Sequence, residues 1–246
     1  MDTRTLFAPA LCAAALWVGC APSQDAGPAA RSTPEPVKEV MTAEAQQALT
    51  PAQVLADLKE GNRRFVEGRL TPRDYLAQAS ATVAGQFPKA ILLSCVDSRV
   101  PPEIIFDQGI GDLFVARVAG NVEDVNLLGS IEFATKAAGA KLVVVLGHTS
   151  CGAIKGAADG VEMANLTALL DEFDGVLAEV RASNDGPGDS SDAEFIARVV
   201  EENVRETMDD LVSRSPILTE LVESGEVSIA GGVYDLATGR VSWLDS

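Results

Sequence analysis

The chain has 246 residues, 47% of them hydrophobic and only 5% aromatic. That length fits one domain, or one domain with tails, and is ample for a buried core. The formal net charge of −17 argues against nucleic acid and against anionic membrane surfaces as partners.

Residues 1–20 read as a signal peptide. Arg4 precedes an uncharged apolar run from Leu6 to Gly19 that is short for a membrane span. The run ends Leu16-Trp17-Val18-Gly19-Cys20, which is similar to a bacterial lipobox, with Trp17 where the pattern prefers Leu. Cys20 is therefore the expected lipidation site. Ala21 follows it, which favours an outer-membrane anchor on the periplasmic side. Cys12 lies in the part that is removed. The only membrane contact expected is this N-terminal anchor. Residues 21–47, rich in Ala, Pro, Ser, Gly and Glu, read as a flexible tether. Residues 48–246 are left as the folded domain.

From there the pattern alternates. Pro51–Gly68 has helical spacing, with Thr50 as N-cap and Pro51 at the first helical position. A short helix is predicted over Ala79–Val83. Ala90–Cys95 is a continuous apolar run, as in a buried parallel strand. Leu113–Arg117 is a second strand, Leu127–Ala138 a helix stopped by Gly139, and Leu142–Gly147 a third strand. Helices follow over Leu166–Arg181, Ala193–Arg214 and Pro216–Ser224, with a loop over 184–192. Val227–Tyr234 and Val241–Leu244 are two last strands joined by a hairpin-like turn at Ala237-Thr238-Gly239. The fold class is α/β, a mainly parallel sheet of about five strands with an antiparallel edge hairpin, flanked by helices. In open sheets of this kind ligands bind beyond the carboxyl ends of the strands, where the winding reverses.

Two of the apolar runs end in chemistry. Cys95-Val96-Asp97-Ser98-Arg99 follows one, and His148-Thr149-Ser150-Cys151-Gly152 ends another. Past the leader these are the only cysteines, and His148 is the only histidine in the chain. Taken alone, two thiols in an exported protein fit a disulfide as well as a metal. A His-x-x-Cys step beside a distant strand-end Cys tips the balance to zinc, with three protein ligands and an open fourth position. If the two strands are neighbours, all three groups face one crevice. Two thiolates cancel the formal charge of the metal, so its bound water is acidified less than by three histidines. A carboxylate that orients that water then helps, and Asp97, kept ionised by Arg99, is placed to do so.

These two motifs together resemble the β-class carbonic anhydrases. The similarity runs from about Leu55 to Leu244 and takes in Glu60-Gly61-Asn62-Arg63-Arg64-Phe65, the Phe114–Asn121 segment, Ser215-Pro216-Ile217-Leu218 and Tyr234-Asp235. The resemblance implies one zinc per subunit on Cys95, His148 and Cys151, with Asp97 and Arg99 as the orienting dyad. The implied reaction is reversible hydration of carbon dioxide to bicarbonate and a proton by zinc-bound hydroxide. Gln86, the Gly152 N–H, Phe114 and Phe133 would contact substrate; Phe133 stands where the plant-like subgroup has tyrosine. A regulated subset, whose aspartate swings onto zinc, carries a tryptophan shortly before the first cysteine. Ala90–Ser94 contains none, which implies an open, plant-like site. A homodimer or higher homo-oligomer is implied too, with Phe114 acting across the interface.

Three other functions compete. A zinc hydrolase of carbonyl sulfide or carbon disulfide would use the same centre with different pocket access. A non-catalytic zinc or bicarbonate-binding envelope module would not need the Asp97–Arg99 pair. A thiol redox protein is disfavoured by the lack of Cys-x-x-Cys.

Overall fold

The two motif-bearing runs become adjacent central strands of one sheet. The computed structural model describes residues 34–245. Its strands are β1 (Ala90–Ser94), β2 (Leu113–Arg117), β3 (Leu142–His148), β4 (Ser228–Tyr234) and β5 (Val241–Trp243), in the order β2-β1-β3-β4-β5. The first three pairings are parallel and β4–β5 is antiparallel. The winding reverses between β1 and β3, so a crevice opens at their carboxyl ends. Every residue of β1 and β3 is buried, which is why both read as unbroken apolar runs.

Alternate strand residues feed two cores. Ala90, Leu92, Leu142, Val144 and Leu146 pack with Val54 and Leu58 of helix α2 (Pro51–Val66). Ile91, Leu93, Cys95, Val143 and Val145 pack on the other face, with Phe195, Val199, Val200 and Val204 of a long helix among their partners. Thr50 caps α2, and its hydroxyl pairs with Gln53 in a reciprocal box. Helix α5 (Val125–Glu132) starts from Asp124, whose carboxylate accepts from the Asn126 and Leu127 N–H groups. It runs on through a wider turn at Phe133–Ala137 and stops at Gly139, which has φ of 80°.

The helices depart from expectation in several places. Part of the segment read as a tether is folded. Ala43–Ala48 is helix α1, and the buried Gln46 amide donates to the carbonyls of Pro88 (2.7 Å) and Ala138 (2.8 Å). The short helix α3 spans Tyr75–Ala81 rather than 79–83, because Asp74 caps it by accepting from Ala77 N–H. The expected helix over 166–181 is two: α7 (Ala164–Leu170) and α8 (Asp174–Ala182), joined by a tight turn that drives Phe173 into the core. Helices α4 (Pro102–Ile105) and α6 (Gly152–Ala158) were not foreseen. The long helix and the one after it, α9 (Ala193–Arg214) and α10 (Pro216–Glu223), fall where the periodicity puts them. The signal-peptide segment and Cys20 lie outside the described residues. Among the described residues no helix is long and apolar enough to cross a membrane.

One buried ionic knot anchors the segment around α3. The Asp107 carboxylate, only 1% exposed, accepts from Arg64 Nε (2.6 Å), Arg73 Nη1 and Thr71 Oγ1 (2.7 Å). Burial alone would raise its pKa, but the two guanidiniums and the hydroxyl outweigh it and hold the carboxyl below its ordinary range. A carboxyl with a depressed folded pKa stabilises above its unfolded value and loses that contribution as pH falls through the folded one. We expect Asp107→Asn to cost roughly 3 kcal/mol at neutral pH, since both cations lose their counter-charge. In paired denaturation curves the gap between wild type and variant should narrow below about pH 4, the ordinary aspartate value. A gap that is the same at pH 3 and pH 7 would disprove the linkage.

Candidate metal centre

Cys95 immediately follows β1 and His148 ends β3. Ser94 stands opposite Leu146 in the parallel pairing, so both side chains emerge at neighbouring strand ends. Cys151 is brought back to them by a reversal. Ser150 adopts φ of 58°, a left-handed conformation unusual for a residue with a side chain. The turn is pinned on both sides: Thr149 N–H donates to the Tyr234 carbonyl (2.9 Å), and Thr149 Oγ1 accepts from Leu236 N–H (3.1 Å). The two sulfurs and the imidazole nitrogen lie within 4.8 Å of one another, and all three residues are buried. Both cysteines are free thiols, so this is not a disulfide.

The donor set fits zinc. His148 Nδ1 lies 3.0 Å from the Thr149 carbonyl, a contact that requires the proton on Nδ1. Nε2 is left with its lone pair inward, and it is buried with no partner. An orphaned buried polar atom is costly, and a metal ion is what two sulfurs and that lone pair would share. Of the thiols, Cys95 is pushed down by the hydrogen bond from Cys151 and by backbone N–H groups of Gly120 and Asp97, against burial. Cys151 is pushed up by that same contact with Cys95 and by burial; the N–H groups of Ala153 and Ile154, at the start of α6, oppose the rise. Both cysteines bind metal as thiolates, so metal uptake releases the protons they carry.

Beside this group stands the acidic residue. Asp97 Oδ1 accepts from Arg99 Nε (2.9 Å) and Arg99 N–H (2.9 Å), and Oδ2 accepts from Arg99 Nη2 (2.6 Å). The Arg99 guanidinium holds the Asp97 carboxyl well below the usual carboxylate range, although partial burial opposes it. Oδ2 is also 3.9 Å from His148 Nε2, so the carboxylate borders the space into which the ligands point. Arg117, at the end of β2, donates from Nε to the Cys95 carbonyl (2.8 Å) and from Nη2 to the Asp97 carbonyl, clamping the Cys95–Asp97 turn.

The expected substrate wall is elsewhere in the chain. Gln86, Phe114 and Phe133 do come together, lining a cavity of about 460 Å3 with α1 residues. The two rings meet edge to face at 6.0 Å. Phe114, however, pairs with Ile91, four residues before Cys95, or about 13 Å along the strand. Within one chain these three side chains are not at the metal group. Gly152 is exposed and opens α6 directly after Cys151. Arg117, Gly120 and the strained Ser150 escaped the motif reading. The signal that could have found the first two was the segment Arg117-Val118-Ala119-Gly120-Asn121, a glycine-containing turn directly after a strand.

Comparison with known proteins agrees with this geometry. A family model described as carbonic anhydrase matches residues 90–241. "Carbonic anhydrase 2" of Mycobacterium tuberculosis is 40% identical over 198 residues, covering 79% of this chain and 93% of that protein. Among solved structures, the β-carbonic anhydrase CafA of Aspergillus fumigatus superposes with a TM-score of 0.62 at 26% identity, covering 79% of this chain and 90% of the other. Tetrameric β-carbonic anhydrases of Sordaria macrospora share the fold, with a TM-score of 0.61 at 24% identity over 79% of this chain and 95% of theirs.

Proposed function

The chain belongs to the β class of carbonic anhydrases, and from that premise we propose how its own residues carry the reversible hydration of carbon dioxide to bicarbonate and a proton. The observation that carries the reading is the buried Cys95–His148–Cys151 group with an Arg-held carboxylate 3.9 Å from the inward imidazole nitrogen. Zinc, when held by those three residues, would supply a Lewis acid that makes water a stronger nucleophile. Asp97, an ionised acceptor at the border of the ligand space, would take a hydrogen bond from the attacking water and so orient its lone pair towards carbon dioxide. Arg99 keeps Asp97 ionised and fixes its plane through two side-chain contacts. With Arg99 engaged on Asp97, the carboxylate is kept off the metal ligands, in keeping with an open, plant-like site. The decisive experiment is carbon dioxide hydration by the purified chain with zinc quantified. One zinc per chain without hydration would end the reading.

The released proton has no histidine to carry it, because the only one in the chain is a ligand. It leaves through water and buffer. Turnover at saturating substrate should therefore rise several-fold between low and high concentrations of a buffer with pKa near 7. Stopped-flow rates that do not change across that series would exclude it.

We also propose that the site is completed by a second copy. β2 is an edge strand, and Phe133 beside it is 58% exposed. An unpaired edge with aromatic side chains next to it suits an interface. Pairing there would carry Gln86, Phe114 and Phe133 of one subunit towards the metal of the other. The tetrameric state of the Sordaria macrospora proteins supports a homo-oligomer. Placement in the bacterial envelope, with Cys20 lipidated, is proposed from the leader sequence alone. Cys20→Ser should move the protein from the membrane to the soluble fraction, and unchanged membrane association would refute the anchor.

A further inference from the structure

We propose that Asn203 is a positioning residue for the metal centre, acting through the Gly120 peptide on Cys95. Asn203 lies in the middle of α9 and is only 3% exposed. Its Nδ2 donates to the Gly120 carbonyl (2.9 Å), and the Gly120 N–H in turn donates to Cys95 Sγ (3.3 Å). The two peptide groups that flank the Gly120 Cα are thus engaged together, the carbonyl of one held by a helix and the N–H of the other aimed at a ligand sulfur.

The packing around this relay leaves the peptide little freedom. Gly120 has φ of 74°, and a Cβ built there would come 2.2 Å from the Phe173 ring. Only glycine serves there, and the ring closes one side of the turn. Helix α9 can reach this turn because the sheet beneath it carries glycine at positions 147 and 231. A Cβ at Gly147 would meet Val204 Cγ2 at 2.7 Å, and one at Gly231 would meet Met208 Sδ at 2.5 Å and Val204 Cγ1 at 2.7 Å. The close approach of α9 to β3 and β4 sets the depth at which the Asn203 amide sits. Its interior position is not what an asparagine in a helix favours, since it competes with the local backbone for hydrogen bonds. Here the amide is spent on a tertiary contact 83 residues away in sequence.

The physical consequence is orientation. An N–H directed at sulfur pins the Cys95 side chain before metal arrives and holds it afterwards. Partners of this kind in the layer behind the ligands typically govern metal affinity by 10–100-fold. The inference rests on zinc being held by Cys95, His148 and Cys151.

The test compares full-length zinc-loaded protein with Asn203→Asp and the milder Asn203→Ser. The aspartate keeps the shape but sets an acceptor against the Gly120 carbonyl, and the serine is too short to reach it. Zinc affinity is read by competition with a chromophoric chelator, and the sulfur-to-metal charge-transfer band is read after cobalt(II) substitution. Both variants are expected to hold zinc roughly 10–100-fold more weakly and to shift the cobalt band to longer wavelength, because the sulfur loses a hydrogen bond. Thr207→Ala, equally buried one turn further along α9, is the control and should change neither. If Asn203→Ser melts lower yet keeps wild-type zinc affinity and the wild-type cobalt band, the residue only packs and the proposal fails. A wild-type chain that takes up no zinc overturns the metal reading and this inference together.

Discussion

Cys151→Ser is expected to empty the metal centre and abolish carbon dioxide hydration. The sulfur contributes a charge that a serine hydroxyl does not, and its position depends on the strained Ser150 turn. His148 and Cys95 would be left as two ligands, too few for a site of this class. The rate should drop by at least ~10^4-fold, given that enzymatic accelerations begin near 10^6-fold. Zinc per chain, measured on the same sample, should fall from one to near zero. The variant should also melt earlier, because metal binding energy adds to the stability of the folded state. Retention of one zinc with near wild-type turnover would show that the ligands lie elsewhere.

Asp97→Asn should lower kcat/KM by about 10^2–10^4-fold, the range for a positioned proton-handling group, while leaving zinc in place. The contrast with the Cys151 variant separates orientation from metal retention. Asparagine fills the same space but carries no charge for Arg99 and offers a donor where an acceptor is needed. Little stability should be lost, since Arg99 is 58% exposed and such a pair contributes little to folding. The partner substitution gives a signed pH test. Arg99 depresses the Asp97 pKa; with Arg99→Ala that pKa rises towards the ordinary value, so the titration of the Asp97 carboxyl, followed by its 13C signal, moves to higher pH. A carboxyl titration that stays put or moves lower would remove Arg99 from that role.

The sequence was most readable where one physical demand dominates. β1 and β3 must be apolar on both faces, so they appear as runs ending at Ser94 and His148, and the ligands fall at their ends. Thr50 and Pro51 announce the start of α2 because an N-cap and a first-turn proline have few other uses. Reading was poorer wherever a tertiary contact decides. Nothing local distinguishes Gln46 in a polar segment from a linker residue; its buried bonds to Pro88 and Ala138 exist only once the sheet has formed. The break between α7 and α8 follows from Phe173 seeking the pocket beside Gly120, a demand written 53 positions earlier. Asn203 looks like an ordinary polar residue of a charged helix until α9 docks. The ligand set was legible because the chain holds so few candidates, whereas Gln86, Phe114 and Phe133 require a second copy to acquire their proposed meaning.

That scarcity has a spectroscopic side. The chain carries one imidazole, and its Nδ1–H is fixed on the Thr149 carbonyl with Nε2 turned inward. Protein labelled with 15N only at histidine would therefore yield a single pair of ring nitrogen signals, both from the metal centre and with nothing else in the spectrum to assign. Nε2 would change its shift on metal uptake while Nδ1 kept its proton, so one two-dimensional spectrum of the purified protein would report metal occupancy, ligand identity and tautomer at once.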